Sequence, residues 1–122
     1  MLAAYGANVV VSDCMIEPAN KVVEEITLKG GKAIALECNV TKDEALVNLV
    51  EKTLEAYGQI NILVNNVGGG GAGRESPYEI SVNEFERFFQ MNFFSMWRLC
   101  QLVAPHMKSS GYGSIINMSS MV

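Results

Sequence analysis

The chain has 122 residues, 49% hydrophobic and 18% charged, which allows at most one domain with a single core and excludes a disordered polypeptide. A net charge of -4 offers no basic face to neutralise phosphates, so a small molecule is expected as partner, and nucleic acid and membrane are not. No apolar run could cross a bilayer, the N-terminus lacks the basic start and apolar stretch of a secretory signal, and Cys14, Cys38 and Cys100 are odd in number without a C-x-x-C; a cytoplasmic protein with reduced packing cysteines and no metal site is expected.

In chain order, LAAYGA at residues 2 to 7 reads as a helix end with Gly6 at its C-cap. VVVSD, 9 to 13, is a β-branched run ending in an acid, as a buried parallel strand would. Pro18 suits a first helical turn, and Ala19, Val22, Val23 and Ile26 share one helix face before Gly30 and Gly31. AIALEC, 33 to 38, is a second strand. Thr41 with Glu44 predicts a capping box opening a helix whose inner face is Leu46, Leu49, Val50, Thr53, Leu54 and Tyr57, and which Gly58 ends.

INILVNN follows as a third strand. Ser81 and Glu84 predict a second capping box. It heads a long helix in which Phe85, Phe88, Phe89, Phe93, Met96, Leu99, Cys100 and Val103 cover much of the circumference, so burial on two sides is expected. Pro105 should end or bend that helix, and SIINMSS supplies a last strand. Strands alternating with helices imply a parallel α/β sheet.

The glycines after the third strand pose the first functional question. Gly68, Gly70 and Gly73 literally satisfy G-x-G-x-x-G, the loop that cradles a pyrophosphate, but a run of glycines satisfies almost any glycine pattern. Such a loop should lead straight into a helix and be followed about twenty residues later by an acid ending the next strand. Here an irregular stretch follows, and that distance falls inside the Phe-rich helix. A Walker A motif fails too, because Arg74 and Glu75 follow Gly73 where Lys and a hydroxyl residue belong.

VVVSD, CNVT, ILVNNVG, MNFFS, QLVAPHM and IINMSS occur in an order and spacing that resemble the short-chain dehydrogenase/reductase family. GGGG after the paired Asn looks most like its 7-alpha-hydroxysteroid dehydrogenase branch. The resemblance spans the chain and corresponds to the middle of such an enzyme, so residues 1–122 are expected to be one incomplete NAD-binding Rossmann domain: a partial doubly wound parallel sheet of four strands with the first strand missing. With the glycine phosphate loop placed before Met1, the chain is expected to be an internal fragment.

The resemblance implies a hydride transfer between NAD and a secondary alcohol or ketone, possibly a hydroxysteroid, and assigns roles by position. Asp13, ending its strand, would accept the ribose hydroxyls of NAD and repel the 2′-phosphate of NADP, so NAD is favoured over NADP. Asn39 stands where the family usually carries Asp and would accept from the adenine amino group, with Val40 against the ring. Asn66 and Gly68 match a turn beside the cofactor ribose, in which Val67 replaces Ala and threatens overpacking. On this view the glycines pass close beside a nucleotide without holding its phosphates.

Asn92 matches an active-site Asn that braces a helix and positions water, and Ser120, with Ser119 as competitor, matches the Ser that hydrogen-bonds the reacting oxygen. The family's acid/base pair is Tyr with Lys four residues on. Tyr5, Tyr57, Tyr78 and Tyr112 are followed at that spacing by Val9, Asn61, Val82 and Ile116, so the isolated chain is expected to be inactive. His106, near a helix end, is expected on the surface. In the resembling family the Phe-rich helix packs between subunits, which implies a homo-oligomer through residues 82–108 in a full-length protein. The alternatives are a non-catalytic α/β fragment that only associates through that helix and a receiver-like signalling domain. The latter is disfavoured because amides end ILVNN where its acceptor Asp belongs.

Overall fold

Asn8–Asp13 (β1) and Lys32–Glu37 (β2) pair in parallel, with Val10 opposite Ile34 and Asp13 opposite Glu37. A parallel pair needs a crossover, and Ile16–Leu28 (α1) supplies it. The structure, a computed structural model, describes residues 1–69, 76 and 78–119 and divides into two units, Met1–Gly58 and Gln59–Val122.

In the first unit a short 3-10 helix, Leu2–Tyr5, ends at left-handed Gly6, as expected. Ala19 is the buried residue of α1, and Val23 and Ile26 are half-buried one and two turns on. Gly31 is required by packing, because a Cβ there would lie 2.7 Å from Ile26 Cγ2. Asp43–Tyr57 (α2) closes the unit with Leu46 and Val50 buried, and it ends at Gly58 as its composition predicts. The capping box expected from Thr41 and Glu44 is not formed: the helix starts one residue later, with Lys42 as N-cap and no side-chain bond, and Thr41 instead donates through its N–H and Oγ to Asn39 Oδ1.

In the second unit Ile62–Asn65 (β3) and Ser114–Asn117 (β4) form another parallel pair, with Leu63 opposite Ile115 and Asn65 opposite Asn117. Ser114 N–H to the Asn61 carbonyl at 2.8 Å and Met118 N–H to the Asn65 carbonyl at 3.0 Å extend the ladder at both ends. Between them run Val82–Phe89 (α3), a π-helical turn Gln90–Phe94, and Ser95–Ser110 (α4). The described strands thus make two parallel pairs, β1 with β2 and β3 with β4, in an α/β chain.

The capping box of α3 is complete: Ser81 Oγ accepts from Glu84 N–H at 3.2 Å, and Ser81 N–H donates to Glu84 Oε2 at 3.0 Å. Pro105 neither ends nor begins an element but lies inside α4, which runs on to left-handed Gly111. The expected burial on two sides is also not met within this chain. One stripe of α4, Ser95, Leu99, Val103 and Met107, is buried, whereas Phe85, Phe89, Phe93, Phe94 and Trp97 are exposed, Trp97 to 57%. A four-residue step keeps the buried stripe on one side of the helix; the aromatics fall outside it.

Cys38 is buried and donates weakly to the Ala45 carbonyl at 3.5 Å; burial pushes its thiol up, against an opposing hydrogen bond with Ser12. It is the packing cysteine that was expected, but Cys14 is exposed and is not one.

Two outcomes follow from these contacts. A Cβ at Gly113 would sit 2.5 Å from Met107 Cβ, so Gly113→Ala should destabilise the second unit by about 1–3 kcal/mol, read from a lowered urea midpoint. The hydrogen bonds from the Ser81 side chain and backbone hold the Glu84 carboxyl below its usual range. Its contribution to α3 is therefore fully present above the ordinary Glu pKa and lost as pH falls through the depressed one, and a pH titration of the Ser81 amide resonance in wild type and Glu84→Gln should show this only in the former.

Candidate cofactor site

The parallel register of β1 and β2 ends in a single rung: Cys38 N–H donates to the Asp13 carbonyl at 2.8 Å. Asn39 and Val40 follow directly, so Asp13, Asn39 and Val40 lie together at the carboxyl ends of two adjacent parallel strands, the edge where open α/β sheets bind ligands.

Asp13 Oδ1 accepts from Met15 N–H at 2.9 Å, which turns the chain into α1 and leaves Oδ2 without a partner among the described residues. Asn39 repeats the device, with Oδ1 accepting from Thr41 N–H at 3.0 Å and from Thr41 Oγ at 2.7 Å. Val40 beside it is half-buried. This edge therefore presents a free carboxylate oxygen, an amide and an apolar side chain, which fits a ribose and a base.

The second unit holds the other candidates. Asn66 is exposed just past β3, and Val67 is 50% exposed, so the overpacking expected from Val in place of Ala does not arise. Asn92 sits in the π-helical turn, and its amide grips the glycine run at Gly69. Oδ1 accepts from Gly69 N–H at 3.3 Å, while Nδ2 donates to the Gly69 carbonyl at 3.3 Å and to the Phe88 carbonyl at 2.9 Å. Asn92 thereby serves as a positioning residue for the loop after β3, and a Cβ on Gly68 would meet its Oδ1 at an unstrained 3.6 Å. Gly68 and Gly69 have no positive φ, so neither strain nor crowding among the described residues demands glycine there. Ser120 lies outside the described residues, and with it the choice between Ser119 and Ser120.

Asn65 was not singled out from the sequence. It is buried and donates through Nδ2 to Asn117 Oδ1 at 2.9 Å and to Cys100 Sγ at 3.7 Å, tying the ends of β3 and β4 to α4. The signal was available in the paired Asn: strand alternation turns only one of two neighbours inward. His106 is exposed, as expected. Among the described residues no group of three or more His, Cys, Asp or Glu could hold a metal ion, and no helix is long and apolar enough to cross a membrane.

The model of the short chain dehydrogenase family matches residues 1–122. The chain belongs to this family. Its relatives include 7alpha-hydroxysteroid dehydrogenase of Escherichia coli K12, 42% identical over 98% of this chain and 46% of that protein. The protein of the same name from Clostridium sardiniense is 36% identical over 98% and 46%. The chain thus spans about half the length of the curated relatives it matches. A solved 7alpha-hydroxysteroid dehydrogenase complexed with NADH and 7-oxo glycochenodeoxycholic acid matches with a TM-score of 0.92 over 98% of this chain and 46% of that one, at 42% identity. A metagenomic short-chain oxidoreductase in complex with NADP matches with a TM-score of 0.93 over 99% and 54%, at 30% identity. The fold is part of a Rossmann-like oxidoreductase fold, which removes the receiver-like alternative. The family binds nicotinamide cofactors, and complexes with both NADH and NADP are found among these neighbours.

Because Asn92 holds both backbone groups of Gly69, Asn92→Ala should speed amide hydrogen exchange at Gly69 by about tenfold or more while leaving Val103, in the buried stripe of α4, unchanged.

Proposed function

We propose that this chain forms the nucleotide-binding part of an NAD-dependent oxidoreductase that moves hydride between NAD and a secondary alcohol or ketone. A hydroxysteroid is the substrate class favoured by the names of its relatives. The observation that carries the cofactor assignment is Asp13, whose free Oδ2 ends β1 beside Asn39 and Val40. A carboxylate there can accept a ribose hydroxyl, and its charge opposes a 2′-phosphate. When bound, the nicotinamide supplies or accepts the hydride.

Asp13, Asn39, Val40, Asn66 and Gly68 are the proposed cofactor-binding residues, with residues 1–122 as one incomplete domain. Ser120 would hydrogen-bond the reacting oxygen, and Asn92 would hold the loop after β3 in place. No Tyr in the sequence is followed by Lys four residues on, so the chain by itself does not turn substrate over. Free Cys14, Cys38 and Cys100 fit a reducing cytoplasm. The exposed Phe85, Phe89, Phe93 and Trp97 support self-association through residues 82–108 in a longer protein.

The test is a chimera in which this chain replaces the matching segment of the Escherichia coli enzyme. It should oxidise a 7α-hydroxy bile acid with NAD, whereas the 122-residue chain alone should show no turnover. Asp13→Ala in the chimera should raise the KM for NAD by about tenfold or more with a smaller change for NADP. A folded chimera that prefers NADP, or is indifferent to Asp13, would overturn the cofactor assignment.

A further inference from the structure

We propose that Asn39 presents a hydrogen-bond donor to the nucleotide base, so that residue 39 does not read the 6-amino group of adenine. This deepens the nucleotide-binding function proposed above and rests on it.

The orientation of an Asn amide is normally ambiguous, since its oxygen and nitrogen differ little in shape. At Asn39 the neighbours decide it. Thr41 N–H can only donate, so the side-chain atom 3.0 Å away is the oxygen. Thr41 Oγ donates to that same oxygen at 2.7 Å. Turning the amide over would set its NH2 against the backbone N–H, losing the backbone bond and facing donor to donor. The bonds that shape the turn into α2 therefore lock Oδ1 inward.

What remains outward is Nδ2. It has no hydrogen-bond partner among the described residues, and Asn39 is exposed. The residue stands immediately after the Cys38 rung to the Asp13 carbonyl, with half-buried Val40 next to it, so the free donor lies at the edge that Asp13 shares. An Asp at this position could give one oxygen to Thr41 and still offer the other to an amino group. An Asn in the same turn has spent its acceptor. Its donor can meet a ring nitrogen of adenine, which accepts, but not the 6-amino group, which donates.

The test uses the whole 122-residue chain, ¹⁵N-labelled, titrated with two probes that differ only at the 6-position. These are 5′-AMP and purine riboside 5′-monophosphate, which lacks the amino group and keeps the ring acceptors. Affinities come from amide shifts around residues 13 and 39–41, with Asn39→Asp as the comparison. The added charge of Asp acts on both probes alike, so the ratio of the two affinities isolates the amino group. The wild type is expected to bind the two probes within about twofold, and Asn39→Asp to favour AMP by about tenfold.

A wild type that already favours AMP tenfold, or an Asn39→Asp variant that gains no preference, would overturn the proposal while leaving nucleotide binding intact. Shifts from neither probe with either protein would overturn both the nucleotide-binding function and the proposal. A second readout needs no ligand: the Thr41 amide should be protected from exchange in wild type and Asn39→Asp and exposed in Asn39→Ala.

Discussion

The hydrogen bond from Cys38 N–H to the Asp13 carbonyl is the constraint on which the first unit's site depends. It is the last rung of a parallel ladder in which each β1 residue faces the residue 24 positions further on, from Asn8 with Lys32 to Asp13 with Glu37. A slip of one residue would turn every β1 side chain to the opposite face. Held in register, the ladder brings a carboxylate and an amide 26 positions apart in the sequence to one sheet edge. Helix α1 maintains that register by closing over the pair, with Ala19 buried at the start of its inward face.

At that edge the two side chains use one oxygen each to shape their own turns. Asp13 Oδ1 turns the chain into α1 through Met15, and Asn39 Oδ1 turns it toward α2 through Thr41. The atoms left facing outward are then of opposite kind, an acceptor on Asp13 and a donor on Asn39. An amide rather than a carboxylate at residue 39 changes the kind of atom left over, although either can make the turn. Which atom each side chain has left over is decided by which atom the backbone has already taken.

The second unit is organised around amides in the same way. Asn65 and Asn117 meet across the paired ends of β3 and β4, and Asn92 reaches from the π-helical turn to both backbone groups of Gly69. Loosening the helix at Gln90–Phe94 is compatible with a side-chain amide taking the Phe88 carbonyl. The aromatic residues flanking this turn lie outside the buried Ser95, Leu99, Val103 and Met107 stripe. One helix face thus serves this chain's own core, and a second, apolar face is left to solvent.

Most of the local structure was legible in residue order. The β-branched runs, left-handed Gly6 and Gly58, and the Ser81 capping box are short-range effects, each decided by a few neighbouring residues. The family and its candidate positions were legible too, because several short segments agree in order and spacing. Expectations failed where a group had a second partner available, and where an apolar face found no cover among the described residues. Thr41 could cap α2 with Glu44 but bonds Asn39, and of the two outcomes open at Pro105 the helix does not end there. Composition and spacing determined the elements and the kinship, and the bonds of Asp13 and Asn39 are local turns two residues long; tertiary structure decided that Asn92 grips Gly69 and that Asn65 meets Asn117, because partners 23 and 52 positions apart come together only when the chain is folded.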